Sequence, residues 1–429
     1  MAIPEPTPTP GRPRQLGRWT AARLLVGLGV PSLVANCTCV APPYRAGSDV
    51  PVQCSYPIPL IQPVKTDILF VIDDSLSMVP NEAAINRELP AFVSELERGA
   101  GVGQSLRVGL TDTSIYAAYF DGYEVAVHPY PHGGWLHALP MVDGGPPDGA
   151  LWLTDPDPDL VPRLAAAIQG VGVEGSFQET PFEAARIALT GMGFFQLLPD
   201  GGNPNAGFLR PGAQLLIVVA SDEDDCSEMS HFPPKVFYTD TDGEDFCTNH
   251  EDLLTPVGDY ASTFLRLDDG TGRPRDVLWG AIAPVSVDGK VAQGVPGILP
   301  DGGPVTQNVD CPTSGGPGYR HRAMALAFDP TLDNLASICA PDFHQALLAI
   351  AQLASSPQTV NLSDNVPDPR LLEVKITRAD GTLQSCTLAN GGIGVVDATA
   401  TQPPALRFQG VCLRRSGDLA VQLDLLCAG

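Results

Sequence analysis

Two short apolar runs constrain the fold of this chain more than any other feature, and they lie at residues 68–72 and 213–220. Each run is continuous and rich in branched side chains, which is typical of a strand buried on both faces of a parallel sheet. Apolar periodicity predicts helices at 81–97, 160–169, 181–189 and 335–353, and further strands at 106–110, 123–127 and 277–284. Because strands and helices alternate, the sequence predicts an α/β fold with a doubly wound, mostly parallel sheet flanked by helices.

The last part of the chain has a different pattern. Short alternating runs at 372–376, 393–396, 406–408 and 419–425 are separated by turn residues. They predict a small, β-rich, disulfide-bonded C-terminal region over 354–429. Cys386 is expected to pair with Cys412 or Cys427, since the sequence leaves the connectivity open.

The first 36 residues resemble an export signal, because arginines precede a short apolar run at 21–35. That run is too short to span a membrane. Cleavage after Ala35 is one expected outcome. Lipidation of Cys37 is the other, since residues 33–37 resemble a bacterial lipobox in which Asn36 replaces the usual small residue. Residues 37–65 are Pro-rich and are expected to form a tether to the domain.

The net charge restricts the kinds of partner that the protein can bind, and the number of cysteines indicates its cellular compartment. With 49 acidic and 25 basic residues the formal net charge is −24, which argues against nucleic acid or an anionic membrane surface as the partner. Membrane contact is expected only through a possible N-terminal lipid. Ten cysteines favour an oxidising compartment, and the expected location is the bacterial periplasm, the outer membrane or the exterior.

Oxygen-bearing side chains follow the first apolar run, in the order Asp73-Asp74-Ser75-Leu76-Ser77. In an extended backbone alternate residues share a face, so Asp73, Ser75 and Ser77 are expected to point into one crevice while Asp74 and Leu76 point away. Carboxylate and hydroxyl ligands suit a hard cation such as Mg²⁺, Mn²⁺ or Ca²⁺. Ligands of open α/β sheets bind beyond the carboxyl ends of the strands. Two further candidate ligands lie in such positions, Thr180 and Asp222.

These five residues resemble the metal-ion-dependent adhesion site of the von Willebrand factor A (VWA) family, whose sheet is Rossmann-like. The resemblance covers about residues 66–353, with loop insertions at about 128–159 and 223–250. It is most similar to the secreted bacterial branch, through residues 208–211 and above all 221–227. It implies one divalent cation, Mg²⁺ first and Ca²⁺ or Mn²⁺ as alternatives. That cation would coordinate an acidic group of a protein or glycan partner.

The chain departs from the family at two positions of the predicted site. Glu223 follows Asp222 where many members have glycine, and Asp74 adds a carboxylate beside Asp73. Both acids are candidates for an additional ligand or for tuning the charge of the site, which would favour Ca²⁺.

Two other functions stay open beside adhesion. In the first, the protein is a structural envelope scaffold whose metal only holds the loops together. In the second, Asp73 and Glu223 serve a metal-assisted hydrolase. We expect no enzyme, because the sequence has neither a nucleophile elbow nor a zinc-protease or phosphate-loop motif.

Three further features have weaker predictions. His128, His132 and His137 predict an exposed binding loop, with a zinc site as the alternative. Residues 240–245 contain acidic residues spaced partly like a calcium loop. Disulfides are expected between two more pairs of cysteines, Cys226 with Cys247 and Cys311 with Cys339.

Overall fold

The structure is a computed structural model that describes residues 53–58, 64–99, 105–120, 125–129, 133–141, 148–172, 175–176, 178–192, 203–229, 246–298, 304–362, 369–399 and 402–426. Its strands are β1 (Gln53–Pro57), β2 (Lys65–Ile72), β3 (Ser105–Asp112), β4 (Tyr116–Phe120), β5 (Val125–Pro129), β6 (Trp152–Thr154), β7 (Gln214–Ala220), β8 (Val277–Ala283), β9 (Gly294–Ile298), β10 (Pro304–Asn308), β11 (Leu335–Ser337), β12 (Thr359–Asn361), β13 (Leu372–Thr377), β14 (Leu383–Thr387), β15 (Ile393–Val396), β16 (Ala405–Phe408) and β17 (Ala420–Leu426). Its α-helices are α1 (Val79–Gly99), α2 (Leu160–Val171), α3 (Pro181–Thr190), α4 (Phe246–Asn249), α5 (Val257–Leu265), α6 (Tyr319–Phe328) and α7 (His344–Ala354).

A six-stranded sheet forms the centre of the molecule, with the strand order β11-β8-β7-β2-β3-β6. All neighbouring pairs are parallel except β3 and β6, which are antiparallel. Counted along the chain, this is the order 3-2-1-4-5-6 of a doubly wound fold. The predicted fold class is confirmed.

Both faces of the sheet are covered by helices, which explains why its strands have no polar face. In β2, Ile68 and Phe70 enter one core with α1, α2 and α7, whereas Leu69 and Val71 enter the other core with α3, α5 and α6. Each of these four side chains is no more than 1% exposed. At roughly 25 cal/mol per Å² of apolar surface, such double burial is the main force that holds the sheet together.

The strand order reverses between β2 and β7. From β2 the chain continues to β3 on one side, and from β7 it continues to β8 on the other. The two strands lie side by side with Ile72 opposite Ala220. The residues that follow them therefore meet in the crevice where such sheets bind ligands.

Two sequence predictions about the sheet are wrong. The described part of the predicted strand at 123–127, residues 125–127, belongs to a separate β4–β5 hairpin. The edge position of the sheet is taken by β6, inside the predicted insertion. The predicted helix at 335–353 begins only at His344, because its first residues form β11 beside β8. Pro341 separates the two elements, and a residue before proline disfavours the helical conformation.

The C-terminal region contains two antiparallel sheets, with the orders β1-β17-β13-β14 and β12-β16-β15. They enclose an apolar core of their own around Val374, Leu406 and Phe408. Strand β1 comes from the segment predicted as a tether, and it pairs with β17 along five residues. In the part of the chain that the structure describes, no helix is long and apolar enough to cross a membrane.

Candidate metal centre

Four of the five predicted ligands are joined by hydrogen bonds at the switch point of the sheet. The Ser75 N–H donates to Oδ1 of Asp73 over 2.8 Å. The hydroxyls of Ser75 and Ser77 lie 2.9 Å apart, and Oγ of Ser77 donates to Oδ1 of Asp222 over 3.0 Å. Oγ of Ser221 donates to the second oxygen of Asp73 over 2.6 Å. Residues from the ends of β2 and β7 therefore form one polar site.

Thr180, the fifth predicted ligand, is fully buried just before α3. Its hydroxyl donates to the carbonyl oxygen of Thr113 over 2.7 Å. The hydroxyl proton of Thr180 is therefore used in this hydrogen bond, and the lone pairs of its oxygen remain available to a cation.

An acidic cluster lies at the same place. Asp73, Asp74 and Glu179 each offer an oxygen, and these oxygens lie within 4.8 Å of one another. The expectation that Asp74 points away from Asp73 is wrong. The chain is not extended here, because Ser75 turns back onto Asp73 and a short 3-10 helix follows at Leu76–Met78.

Loops from two other elements hold Asp74 in the cluster. Oγ of Ser114, after β3, donates to its carboxylate over 2.8 Å, and the hydroxyl of Thr113, whose one proton is shared with Glu179, lies 3.2 Å from it. Gly175 lies against the same carboxylate, since a Cβ placed there would be 2.1 Å from Cγ of Asp74. The backbone approaches this closely only because residue 175 has no side chain.

Sequence reasoning missed Glu179 as a site residue. Its side chain is fully buried, and one oxygen accepts a hydrogen bond from the hydroxyl of Thr113. The sequence feature that could have identified Glu179 is its position directly before Thr180 and the proline that begins α3. A carboxylate at that position faces the same crevice as the strand ends.

Two carboxylate oxygens of this site are buried without a hydrogen-bond donor, Oε1 of Glu179 and Oδ2 of Asp222. Within the described segments, the groups that most perturb Asp73, Asp74, Glu179 and Asp222 include no lysine or arginine. His137, which pairs with Asp112, interacts electrostatically with Asp74. A buried charge without a partner is strongly unfavourable. An all-oxygen, anionic donor set of this kind fits a hard divalent cation.

The pKa values of these acids are all raised, and burial is the first cause in each case. The pKa of Asp74 rises to about 7, with a further contribution from Asp112 and then from Asp73. The pKa of Asp222 also rises to about 7, helped by the charge of Asp73. The pKa values of Asp73 and Glu179 are raised as well. Without a cation the cluster therefore tends to hold protons, which a bound cation would displace.

The acidic segment 221–227 also fixes the helices around the site. The carboxylate of Asp225 accepts the N–H of Phe182 in the first turn of α3 over 3.1 Å and pairs with Arg320 of α6 over 2.9 Å. Oγ of Ser227 accepts the N–H of Glu183 over 3.0 Å. These acceptors satisfy N–H groups that the start of a helix leaves unpaired.

Two disulfides border the site. One joins Cys226 to Cys247, and the Cys226 N–H donates to the carbonyl oxygen of Glu179 over 2.8 Å. The other joins Cys311 to Cys339, and from the same loop the Gly315 N–H donates to the carbonyl oxygen of Asp222 over 2.9 Å. The backbone carbonyls of Glu179 and Asp222 therefore accept hydrogen bonds from loops that disulfides close.

The third disulfide joins Cys386 to Cys412, so the first of the two partners expected for Cys386 is the one present. It lies in the C-terminal region, where both sulfurs are buried. Three disulfides in the described residues are typical of a protein from an oxidising compartment.

The remaining candidate residues are placed as follows. The side chain of Glu223 packs against Gly315, where a Cβ would lie 2.8 Å from Cγ of the glutamate. Nε2 of His137 lies 2.8 Å from the carboxylate of Asp112. The side chains of His128 and His132, residues 240–245 and Cys37 lie outside what the structure describes, as does Cys427.

Three solved structures are similar to parts of this fold. A von Willebrand factor type A protein from Catenulispora acidiphila has a TM-score of 0.32 and 11% identity over 90% of this chain and 67% of its own. The human COPII-coat protein Sec24c has a TM-score of 0.31 and 11% identity over 87% of this chain and 41% of its own. The pilus adhesin SpaC from Lactobacillus rhamnosus GG has a TM-score of 0.32 and 8% identity over 88% of this chain and 41% of its own.

These likenesses are too weak to assign a function. The chain spans less than half the length of Sec24c and of SpaC. No family model and no curated protein matches the sequence.

Proposed function

We propose that this chain is an exported binding protein with a VWA-like domain, in which a divalent cation at the switch point coordinates an acidic group of a protein or glycan partner. The observation that carries the proposal is the pair of buried, unpartnered oxygens on Glu179 and Asp222. Glu179 lies on the loop before α3 and Asp222 on the loop after β7, and both loops adjoin the loop after β2 that presents Asp73, Ser75 and Ser77. Mg²⁺ is the first candidate cation, and Ca²⁺ is favoured by the additional carboxylates of this site.

The surface above the site supports contact with a partner. Ser77 is exposed although the carboxylates beneath it are buried, so the site opens to solvent beside this hydroxyl. Two apolar side chains flank the opening, Leu76 and Val79, which are 65% and 51% exposed. Exposed apolar groups beside a polar centre are typical of an interaction site.

The disulfides of the protein support an exported location. Its three described disulfides join loops of the α/β domain and of the C-terminal region. They are expected to form in the periplasm, at the outer membrane or outside the cell, since the cytosol keeps thiols reduced.

A pull-down from the native envelope tests the proposal. The purified, chelator-stripped chain serves as bait, with Mg²⁺, Ca²⁺ or chelator in the buffer, beside the variants Asp222→Asn and Asp148→Asn. Asp148 lies outside the cluster and pairs with Arg163, so its variant controls for the loss of one negative charge. We expect a partner that is retained with the cation by the wild type and Asp148→Asn, and lost with chelator or in Asp222→Asn. Equal retention with and without chelator would contradict the proposal.

A further inference from the structure

The carboxylates at the switch point form two groups that share Asp73. In the first group, Asp73 accepts the Ser75 N–H, and the hydroxyls of Ser75 and Ser77 continue the connection to Asp222. In the second group, the oxygens of Asp73, Asp74 and Glu179 lie within 4.8 Å of one another, and Asp222 is not among them. Each group is therefore a separate set of oxygen ligands with one common member.

Each group contains an oxygen that the protein leaves without a donor. In the first group it is Oδ2 of Asp222, whose residue is 1% exposed. In the second group it is Oε1 of Glu179, whose residue is fully buried. A buried acceptor without a donor costs about 1–3 kcal/mol, and more when it is charged. Each group therefore has a free acceptor oxygen beside the carboxylate of Asp73, as a cation ligand requires.

The hydrogen bonds that are present leave room for a shared role of Asp73. A carboxylate has about four lone-pair sites. Asp73 accepts close hydrogen bonds from the Ser75 N–H at Oδ1 and from the Ser221 hydroxyl at Oδ2, and the Ser75 hydroxyl and the Asp222 N–H also stabilise its charged form. A cation held with Ser75 would bind the oxygen of that hydroxyl and take the place of its proton beside Asp73, so that the carboxylate could serve one cation from each side.

The charge of the site favours two cations over one. Asp73, Asp74, Glu179 and Asp222 together carry a formal charge of −4 when ionised, since each contributes −1. A single divalent cation would leave two of the carboxylates either protonated or charged in a buried place, where unpaired charge is strongly disfavoured. Two divalent cations would neutralise all four carboxylates without protons.

We propose that the site binds two divalent cations that share Asp73, one held with Asp222, Ser75 and Ser77 and the other held with Asp74 and Glu179. This inference rests on the proposed function, because it concerns the same metal centre. The second cation depends on Glu179 and Asp74, which the adhesion-site motif in the sequence does not contain.

Manganese provides the test, because Mn²⁺ is a hard cation with an electron paramagnetic resonance signal. The chelator-stripped full chain is dialysed against Mn²⁺ at about 0.15 M salt, which screens weak binding to the acidic surface. We expect two Mn²⁺ per wild-type chain and a spin-coupled spectrum. Glu179→Gln should bind one Mn²⁺ with an uncoupled six-line spectrum. The control Glu373→Gln lies in the C-terminal region, beside Lys375, and should still bind two.

The outcomes separate this inference from the proposed function. One Mn²⁺ per wild-type chain with an uncoupled spectrum overturns the second cation and leaves the proposed function intact. No bound Mn²⁺ overturns both. Two Mn²⁺ that Glu179→Gln retains also overturn the assignment, because the second cation would then lie elsewhere. If Glu179→Gln does not fold, the stoichiometry and spectrum of the wild type, together with those of Asp74→Asn, decide the question.

Discussion

Replacing Asp73 by alanine should abolish cation binding and leave the fold intact. The metal-free mutant loses the two hydrogen bonds that Asp73 accepts from Ser75 and Ser221, at about 1.5–3 kcal/mol each for a charged acceptor. It gains relief from repulsion by Asp74 and Glu179, whose oxygens lie within 4.8 Å. At an effective dielectric constant of about 20, each pair in which both carboxylates are ionised is worth about 3 kcal/mol, and a pair with a protonated member is worth less. The two effects oppose each other, and Asp73 lies outside the apolar cores, so the mutant should remain folded.

The effect of the cation should differ sharply between the two proteins. At a concentration 100 times its Kd, a ligand stabilises the folded state by about 2.7 kcal/mol. For a domain of about 290 residues that corresponds to a rise in Tm of roughly 4–5 °C. Differential scanning calorimetry with Mg²⁺, Ca²⁺ or chelator should show this rise for the wild type and for Asp148→Ala, and no rise for Asp73→Ala. A folded Asp73→Ala protein with an unchanged cation affinity would refute the proposed site.

Three further predictions concern the surroundings of the site. Gly175→Ala should displace the Asp74 carboxylate, because a Cβ at residue 175 would lie 2.1 Å from its Cγ. Calorimetric titration should then show weaker cation binding, while circular dichroism remains native. An unchanged cation affinity would contradict this prediction. Removing the Cys226–Cys247 disulfide, whose cysteines are 21 residues apart, should lower the stability by about 3 kcal/mol, which urea denaturation of the double serine variant measures. Burial lowers the pKa of His321 from 6.5 to about 4. Between these two pH values the unfolded chain binds a proton at this residue and the folded chain does not. The free energy of unfolding should therefore decrease as the pH falls from about 6.5 towards 4. Urea denaturation across this range should show a shallower loss for His321→Phe than for the wild type, and equal slopes would show that His321 is not the group responsible.

The sequence predicts the centre of the fold well because a strand that is buried on both faces has a continuous run of apolar residues. Strands β2 and β7 are continuous apolar runs, and the acidic residues after them mark the carboxyl ends of neighbouring strands. Strands β6 and β11 have only three residues each. So short a strand carries too little pattern to distinguish it from a loop or from the start of a helix.

The site was predictable only in part, for a geometric reason. Alternation along an extended chain places Asp73, Ser75 and Ser77 on one face, but the chain turns at Ser75 and brings Asp74 into the same cluster. Glu179 joins the cluster through contacts with a loop more than 60 residues earlier in the chain, around Thr113. Such contacts depend on how the loops pack, and local spacing contains no information about them.

The stability of the fold and the affinity of the site are supplied by different parts of the molecule. Uncompensated carboxylates destabilise the folded state, and here they are held together by interactions outside the cluster. The two apolar cores fix the strands, the ion pair of Asp225 with Arg320 fixes α3 against α6, and the Cys226–Cys247 disulfide closes the adjoining loop. Because these interactions do not involve a cation, we expect them to hold the ligands in place before one binds. A cation that enters such a preorganised site relieves existing repulsion without the entropic cost of ordering the loops, and both effects increase its affinity.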